Sequence, residues 1–372
     1  MREKNFSRGD AKAQSATARL KIFFASLRLC VFASLRLCAR NFRPSTLTSV
    51  NKIVRLTKLK NQPETRQPAF SGITTFGRLP FIANTADQEF DLAVLGIPYD
   101  GMVTNRPGAR FGPNGIRQAS IRGRNYSQQM EVGVYERLRC VDAGDVQVNP
   151  FDYAETFHQI ESRVSELQQR GAAVVSLGGD HSVLLPILRA TNKKYPKLTL
   201  IQFDAHSDTS DEGWGQRFHH GTPVRRAIEE RLVPGNRIFQ IGIRGSIGSA
   251  RYNDFANEAG IHVLNMHDFH DSNLRSAFLQ TLRDVAGSDP CYLTFDIDGI
   301  DPAFAPGTGT PVVGGLTSFE ALDLMRSFRG FNFIGGDVVE VAPAYDSSDI
   351  TSLLAATLAF EIAALIAITR GA

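Results

Sequence analysis

The stretch Leu198–Asp211, LTLIQFDAHSDTSD, opens as an apolar run and then sets Asp204, His206 and Asp208 at alternate positions. A short, continuous apolar run reads as a strand covered on both faces, which is the pattern of a parallel sheet. Extended residues two apart share a face, so the three polar side chains are expected to converge on one point. In open parallel sheets ligands bind beyond the carboxyl ends of the strands, where the loops carry the chemistry.

Five more runs share this character: Asp91–Ile97, Ala172–Gly178, Arg237–Ile243, Ile261–Asn265 and Cys291–Phe295. Between them, Phe157, Ile160, Val164 and Leu167 fall at helical spacing in a segment that ends at Gly171, a helix-stop signal. A second helix is expected to start at Thr317, where Glu320 completes a capping box. A last helix over about 349–369 is strongly apolar, but Glu361 interrupts it, so it reads as a buried packing or subunit-contact helix rather than a membrane span. The alternation of strand and helix predicts a single α/β domain from about residue 69 onward, three-layered α/β/α with a mostly parallel sheet.

Two further strand ends carry metal-loving groups. GGDHS follows the strand ending near Leu177 and puts His181 at its mouth; Asp296 and Asp298 follow Phe295 in DIDGIDP. Alone, a D-x-D or a histidine after a strand reads as a cap, a turn or a satisfied core group. Three such clusters at three strand ends read differently. Four carboxylates and two imidazoles at a partly buried sheet edge would repel one another without cations. Two divalent ions sharing bridging carboxylates remove that cost, and the oxygen-rich donor set favours Mn²⁺, with Ni, Co, Fe and Zn left open.

Composition sets limits around this site. The chain has 372 residues and a formal charge of +3, but residues 1–68 carry +12 and the remainder −9. The acidic body offers no electrostatic footprint for nucleic acid. The basic leader contains a tandem repeat, FASLRLCV then FASLRLCA, over residues 24–39, and Arg28 and Arg36 break it as a signal or membrane segment. It is expected to be a disordered extension or an over-long gene start, with an organelle transit peptide weighed second. Cys30, Cys38, Cys140 and Cys291 show no paired spacing, which suits a reducing compartment and a cytoplasmic protein.

GGDHS, FDAHSDT, HHGT, FDIDGIDPAFAPGTGTP and GGDVVEVAPAYD, together with NRPGARFGPNGIR at residues 105–117, resemble the signatures of the ureohydrolase family of agmatinases, arginases and guanidino-acid hydrolases. The similarity covers about residue 80 to the C-terminus and omits the leader. It implies that His181, Asp204, Asp208 and Asp296 hold one ion, and His206, Asp204, Asp296 and Asp298 the other. It implies also that His220 moves protons at the substrate and that Glu340 pairs with a guanidinium. Metal ions bound there would ionise a water at neutral pH for attack on the guanidinium carbon, leaving urea and an amine. His219 reads as a loop or packing residue, and Arg244, in GIRGS, as a brace.

For the substrate's other end, the loop TSDEGWGQRF offers Asp211 and Glu212 for an ammonium, Arg217 for a carboxylate, and Trp214. These charges point both ways, and resemblance favours agmatine, with 4-guanidinobutyrate, 3-guanidinopropionate and guanidine as alternatives. The family also implies a homo-oligomer, a trimer or hexamer. A one-zinc deacetylase on a related fold and a catalytically silent binding protein are the rival classes; both would be expected to lack part of the six-ligand set.

Overall fold

The computed structural model describes residues 68–371 other than 86, 87, 124 and 250. The expectations for the leader fall outside these residues. Ten strands occur among them: β1 (Leu92–Gly96), β2 (Tyr126–Ser127), β3 (Val132–Gly133), β4 (Cys140–Asp145), β5 (Ala173–Leu177), β6 (Thr199–Phe203), β7 (Ile238–Ile241), β8 (His262–Leu264), β9 (Pro290–Asp296) and β10 (Asn332–Val339). Eight form one sheet in the order β4-β1-β5-β10-β9-β6-β7-β8. All its pairings are parallel. The remaining two, β2 and β3, make a small antiparallel hairpin.

The apolar runs are continuous because each strand feeds two cores. Leu92 and Val94 of β1 pack on one face, with Ile116 and the final helix; Ala93 and Leu95 pack on the other, with Phe157, Ile160, Val164 and Leu167. The helix Tyr153–Gln169 begins at Asp152, whose carboxylate accepts from the Ala154 and Glu155 amides, and Gly171 closes it at φ +87°. The capping box at Thr317 and Glu320 is formed as expected. A three-layer α/β/α architecture with a parallel sheet therefore stands.

The sequence reading missed the β2–β3 hairpin and two strands of the main sheet. The edge strand β4 ends in polar residues and a glycine. The more consequential omission is β10, which lies between β5 and β9 at the centre. Its Gly335 and Gly336 weaken the strand signal, yet they are there for packing. A Cβ at Gly336 would come within 2.6 Å of the Leu293 carbonyl oxygen and 2.9 Å of Ile362, and one at Gly335 within 2.9 Å of the Val174 carbonyl oxygen.

The helix Ile350–Arg370 is long and apolar enough to cross a bilayer, but 78% of its most apolar window is buried inside the protein. Glu361 is buried and held by Arg326, at 2.7 Å from Nη2, with Ser127 Oγ donating at 3.3 Å. Removing one partner of a buried pair strands the other charge. Arg326→Ala is therefore expected to destabilise the fold by about 3 kcal/mol, read as a lowered midpoint in urea unfolding. An unchanged midpoint would show that Glu361 needs no counter-charge.

Candidate metal centre

Four neighbouring central strands, β5, β10, β9 and β6, point their carboxyl ends at one place. His181 lies in the turn after β5, Glu340 directly follows β10, Asp296 ends β9 with Asp298 in the next turn, and Asp204, His206 and Asp208 follow β6. All six donor positions read from the sequence are brought together, and Glu340 and His220 join them.

The convergence was expected, but its cause differs. Beyond Phe203 the chain is no longer extended. Asp204 Oδ1 accepts from the His206 amide at 2.7 Å, and Asp296 Oδ1 accepts from the Asp298 amide at 2.9 Å. Both i, i+2 motifs are thus turns closed by an aspartate side chain, which leaves each aspartate's other oxygen facing inward. Asp208 then takes φ +53°, a left-handed conformation unusual for aspartate. Gly179 owes its place to close approach: a Cβ there would sit 1.7 Å from the Tyr99 carbonyl oxygen.

The distances describe two donor groups. His181 Nδ1 lies 3.1 Å from Asp204 Oδ2, 2.9 Å from Asp208 Oδ2 and 3.3 Å from Asp296 Oδ2. His206 Nδ1 lies 3.1 Å from Asp298 Oδ2 and 3.6 Å from Asp204 Oδ1. Ligating atoms of His181, Asp204 and Asp296 form one compact group and those of Asp204, His206 and Asp298 a second, so Asp204 belongs to both. Two donors each about 2.1 Å from a shared ion and at right angles lie about 3.0 Å apart. The observed separations match the edges of such a polyhedron.

Hydrogen bonding points the same way. His181 Nδ1 and Asp208 Oδ2 are buried 2.9 Å apart, and neither has a satisfied hydrogen-bond partner. Thr294 Oγ1 donates to Asp337 Oδ1 at 2.6 Å, so it receives the His181 Nε2 proton at 2.9 Å. That fixes a proton on Nε2 and turns Nδ1 toward the carboxylates, where a bound ion would take its lone pair. Tyr292 donates to the other Asp337 oxygen at 2.8 Å. The donor set therefore fits divalent cations.

Without cations the electrostatics are strained. Burial would lower His181, but Asp204, Asp208 and Asp296 lift it well above the ordinary histidine value. Burial likewise opposes charge on His206, yet Asp298 and Asp204 push it up to about 12. Burial and the Asp204 charge push Asp208 up to about 7, and burial with Asp298 and Asp204 lifts Asp296 well above the carboxylate range. Two divalent charges would relieve each of these.

Beside the cluster is a cavity of about 170 Å³ lined by Thr104, His206, Asp208, Ser210, His219, His220, Gly221, Tyr252, Asp296 and Thr310. At its wall, His220 Nδ1 lies 2.9 Å from Glu340 Oε1, which also accepts from the His181 amide at 2.8 Å. Burial opposes charge on His220, but Glu340, with Asp180 and Asp208 beyond it, pushes it up to about 9. Glu340 adopts φ +63°, and its Oε2 is buried with no partner. A buried carboxylate oxygen without a partner is costly, and a donor or cation placed there would remove that cost.

Arg244 makes the contacts of a brace, whereas His219 does more than pack, its Nε2 being buried without a partner. Arg244 spreads its guanidinium over the carbonyl oxygens of Gly242, Asp298, Gly299 and Val312 and braces the loop behind Asp298. His219 accepts from the Gly221 amide at 3.1 Å in its own turn, although it also lines the cavity. The PGTGTP loop is more than a turn: Thr310 donates to Asp298 Oδ2 at 3.1 Å. Thr294, Asp337 and Thr104 escaped the sequence reading, since only the sheet register and distant loops bring them to the site.

A sequence model of the Arginase family matches residues 90–365. The chain is 44% identical over 301 residues to guanidinopropionase of Pseudomonas aeruginosa, covering 81% of this chain and 93% of that one. It is 41% identical over 300 residues to agmatinase of Cronobacter sakazakii, covering 80% and 94%. Proclavaminate amidino hydrolase from Streptomyces clavuligerus superposes with a TM-score of 0.77 at 38% identity, covering 82% of this chain and all of that one. The chain belongs to the Arginase family: it is a ureohydrolase, an enzyme that cleaves carbon–nitrogen bonds in guanidino compounds.

Thr294→Val removes the group that orients His181 without touching the donor set. Loss of such a partner lowers metal affinity about 10–100-fold. Competition with a chelator measures this, and unchanged affinity would show that Thr294 does not hold the imidazole.

Proposed function

We propose that the chain uses two divalent metal ions, Mn²⁺ foremost, to hydrolyse a small linear guanidino compound to urea and an amine. The carrying observation is the pair of donor groups sharing Asp204, beside a buried carboxylate with one free oxygen. His181, Asp204, Asp208 and Asp296 would hold one ion and His206, Asp204, Asp296 and Asp298 the second. Bound ions would supply Lewis acidity and an ionised water. Glu340 Oε2 would take two N–H groups of the guanidinium and orient its carbon toward the cluster. His220, hydrogen-bonded to Glu340, would supply the proton without which the amine cannot leave.

The pocket's outer lining bears on the substrate. Asp211 is turned to Arg226, at 2.8 Å, and Arg217 to Glu229, at 2.8 Å, both partners on the helix Pro223–Glu229, and Glu212 stands outside the cavity lining. None of the four paired residues lines the cavity. Apart from the donor cluster and the groups bonded to it or to His220, the lining is Ser210, His219, Gly221 and Tyr252. It offers neutral hydrogen-bond groups and no further carboxylate. An ammonium tail calls for an acidic partner, whereas a carboxylate is served by hydroxyl and imidazole donors. We therefore place the guanidino acids, 3-guanidinopropionate and 4-guanidinobutyrate, ahead of agmatine, with arginine and free guanidine behind. A homo-oligomer of cytoplasmic location is part of the same proposal.

Urea release from Mn²⁺-loaded protein across these five compounds tests the reading. The guanidino acids are expected to give the highest kcat/KM, and a reversed order would return the assignment to agmatine. Absence of urea from every compound would overturn the function. His181→Ala and Asp296→Ala are each expected to lose bound metal and abolish turnover, and full activity in either would remove the metal assignment.

A further inference from the structure

His220 has both ring nitrogens engaged. Nδ1 faces Glu340 Oε1, while Nε2 receives the Thr104 amide at 3.1 Å and lies 2.7 Å from Thr104 Oγ1. A backbone N–H can only donate, so Nε2 carries a lone pair in this arrangement and Nδ1 carries the proton. Burial opposes charge on His220, and Glu340, Asp180 and Asp208 favour it, while the Thr104 amide, which donates to Nε2, offers no acceptor there for an imidazolium proton. The hydrogen-bond geometry determines the resting tautomer, a neutral ring with its proton on Nδ1. His219 packs edge-on against it with ring centroids 6.3 Å apart, and His206, Asp208, Asp296 and Tyr252 line the same cavity.

In that state His220 presents no free nitrogen to the cavity. Thr104 does line it, and a hydroxyl, unlike an amide, can give and receive protons by rotation. The Thr104 side chain makes no other hydrogen bond among those described, so its second capacity is open to the cavity. Its place is fixed from three directions. The Met102 amide donates to Asp180 Oδ2 at 3.0 Å, the Met102 carbonyl receives the His220 amide at 3.1 Å, and Asn105 Nδ2 donates to the Gly309 carbonyl at 2.9 Å.

We propose that the Thr104 hydroxyl is the relay through which His220 exchanges protons with the reacting groups in the cavity. This rests on the amidinohydrolase reading above. As the tetrahedral adduct collapses, the bond from the central carbon to the alkyl nitrogen breaks and its electron pair goes to that nitrogen. The nitrogen takes the Thr104 Oγ–H proton, Oγ takes the proton of a transiently protonated His220 Nε2, and the ring returns to its neutral tautomer. His220 regains that proton from the water consumed in the reaction, by the reverse route. The Thr104 amide disfavours a lasting proton on Nε2, so the proton is handed on.

Thr104→Val keeps the amide and the shape but removes the hydroxyl; Thr104→Ser keeps the hydroxyl. Loss of a general acid–base group costs on the order of 10²-fold or more in rate. Thr104→Val is therefore expected to lower kcat by that amount, with KM and bound metal unchanged and the pH–rate profile flattened. Thr104→Ser should restore most of the rate and the wild-type profile. A Thr104→Val enzyme with wild-type kcat would overturn the proposal. Nitrogen-15 NMR of histidine-labelled, metal-loaded wild-type protein gives a reading independent of any variant's folding. A proton on Nδ1 and none on Nε2 of resting His220 is expected, and a proton on resting Nε2, whether as the opposite tautomer or as an imidazolium, would overturn the relay. If no guanidino compound yields urea, the functional reading fails, while the NMR result still judges the Thr104 contact.

Discussion

Six side chains with an excess of negative charge are held where water is scarce, and the site is organised around that repulsion. Asp204, Asp296 and Asp298 are almost wholly buried, and each lies within a few ångströms of another carboxylate or an imidazole. Such an arrangement is unfavourable unless positive charge compensates it. The Thr294–Asp337 chain fixes a proton on His181 Nε2, away from the carboxylates, so compensation on the Nδ1 side comes from a second ring proton or from a cation. Two imidazolium charges could not balance four carboxylates, whereas two divalent cations do.

The sheet explains why the cage is rigid. Donors come from the ends of β5, β9 and β6, and β10 between them brings Glu340, so parallel pairing fixes the spacing of all four loops. Local turns do the fine positioning: aspartate side chains close the i, i+2 loops, and Arg244 ties carbonyl groups behind Asp298. Rigid donors at preset separations favour a polarised water over a mobile one. The same frame sets Glu340 against His220 and His220 against Thr104, joining guanidinium binding to proton supply.

Much of this was legible in the sequence because it is local. Apolar runs showed six strands, the Thr317 capping box and Gly171 marked helix ends, and the spacing of Asp204, His206 and Asp208 announced convergence. The reason given for that convergence, an extended chain, was mistaken, since turns also bring i and i+2 together. What escaped depends on long-range contact. β10 was hidden by Gly335 and Gly336, whose purpose is seen only once Leu293 and Ile362 are in place. Thr294 reads as an ordinary strand residue until Asp337 is its neighbour. The charges of Asp211 and Arg217 looked available to a substrate because their partners, Arg226 and Glu229, lie on a helix farther along.

The most direct test of the central claim is metal occupancy located within the folded protein. Crystals of Mn²⁺-loaded protein measured at the manganese absorption edge should show two anomalous peaks per chain, one on each side of Asp204. The first should lie against His181 and the second against His206. A single peak, or none at full metal saturation, would contradict the account.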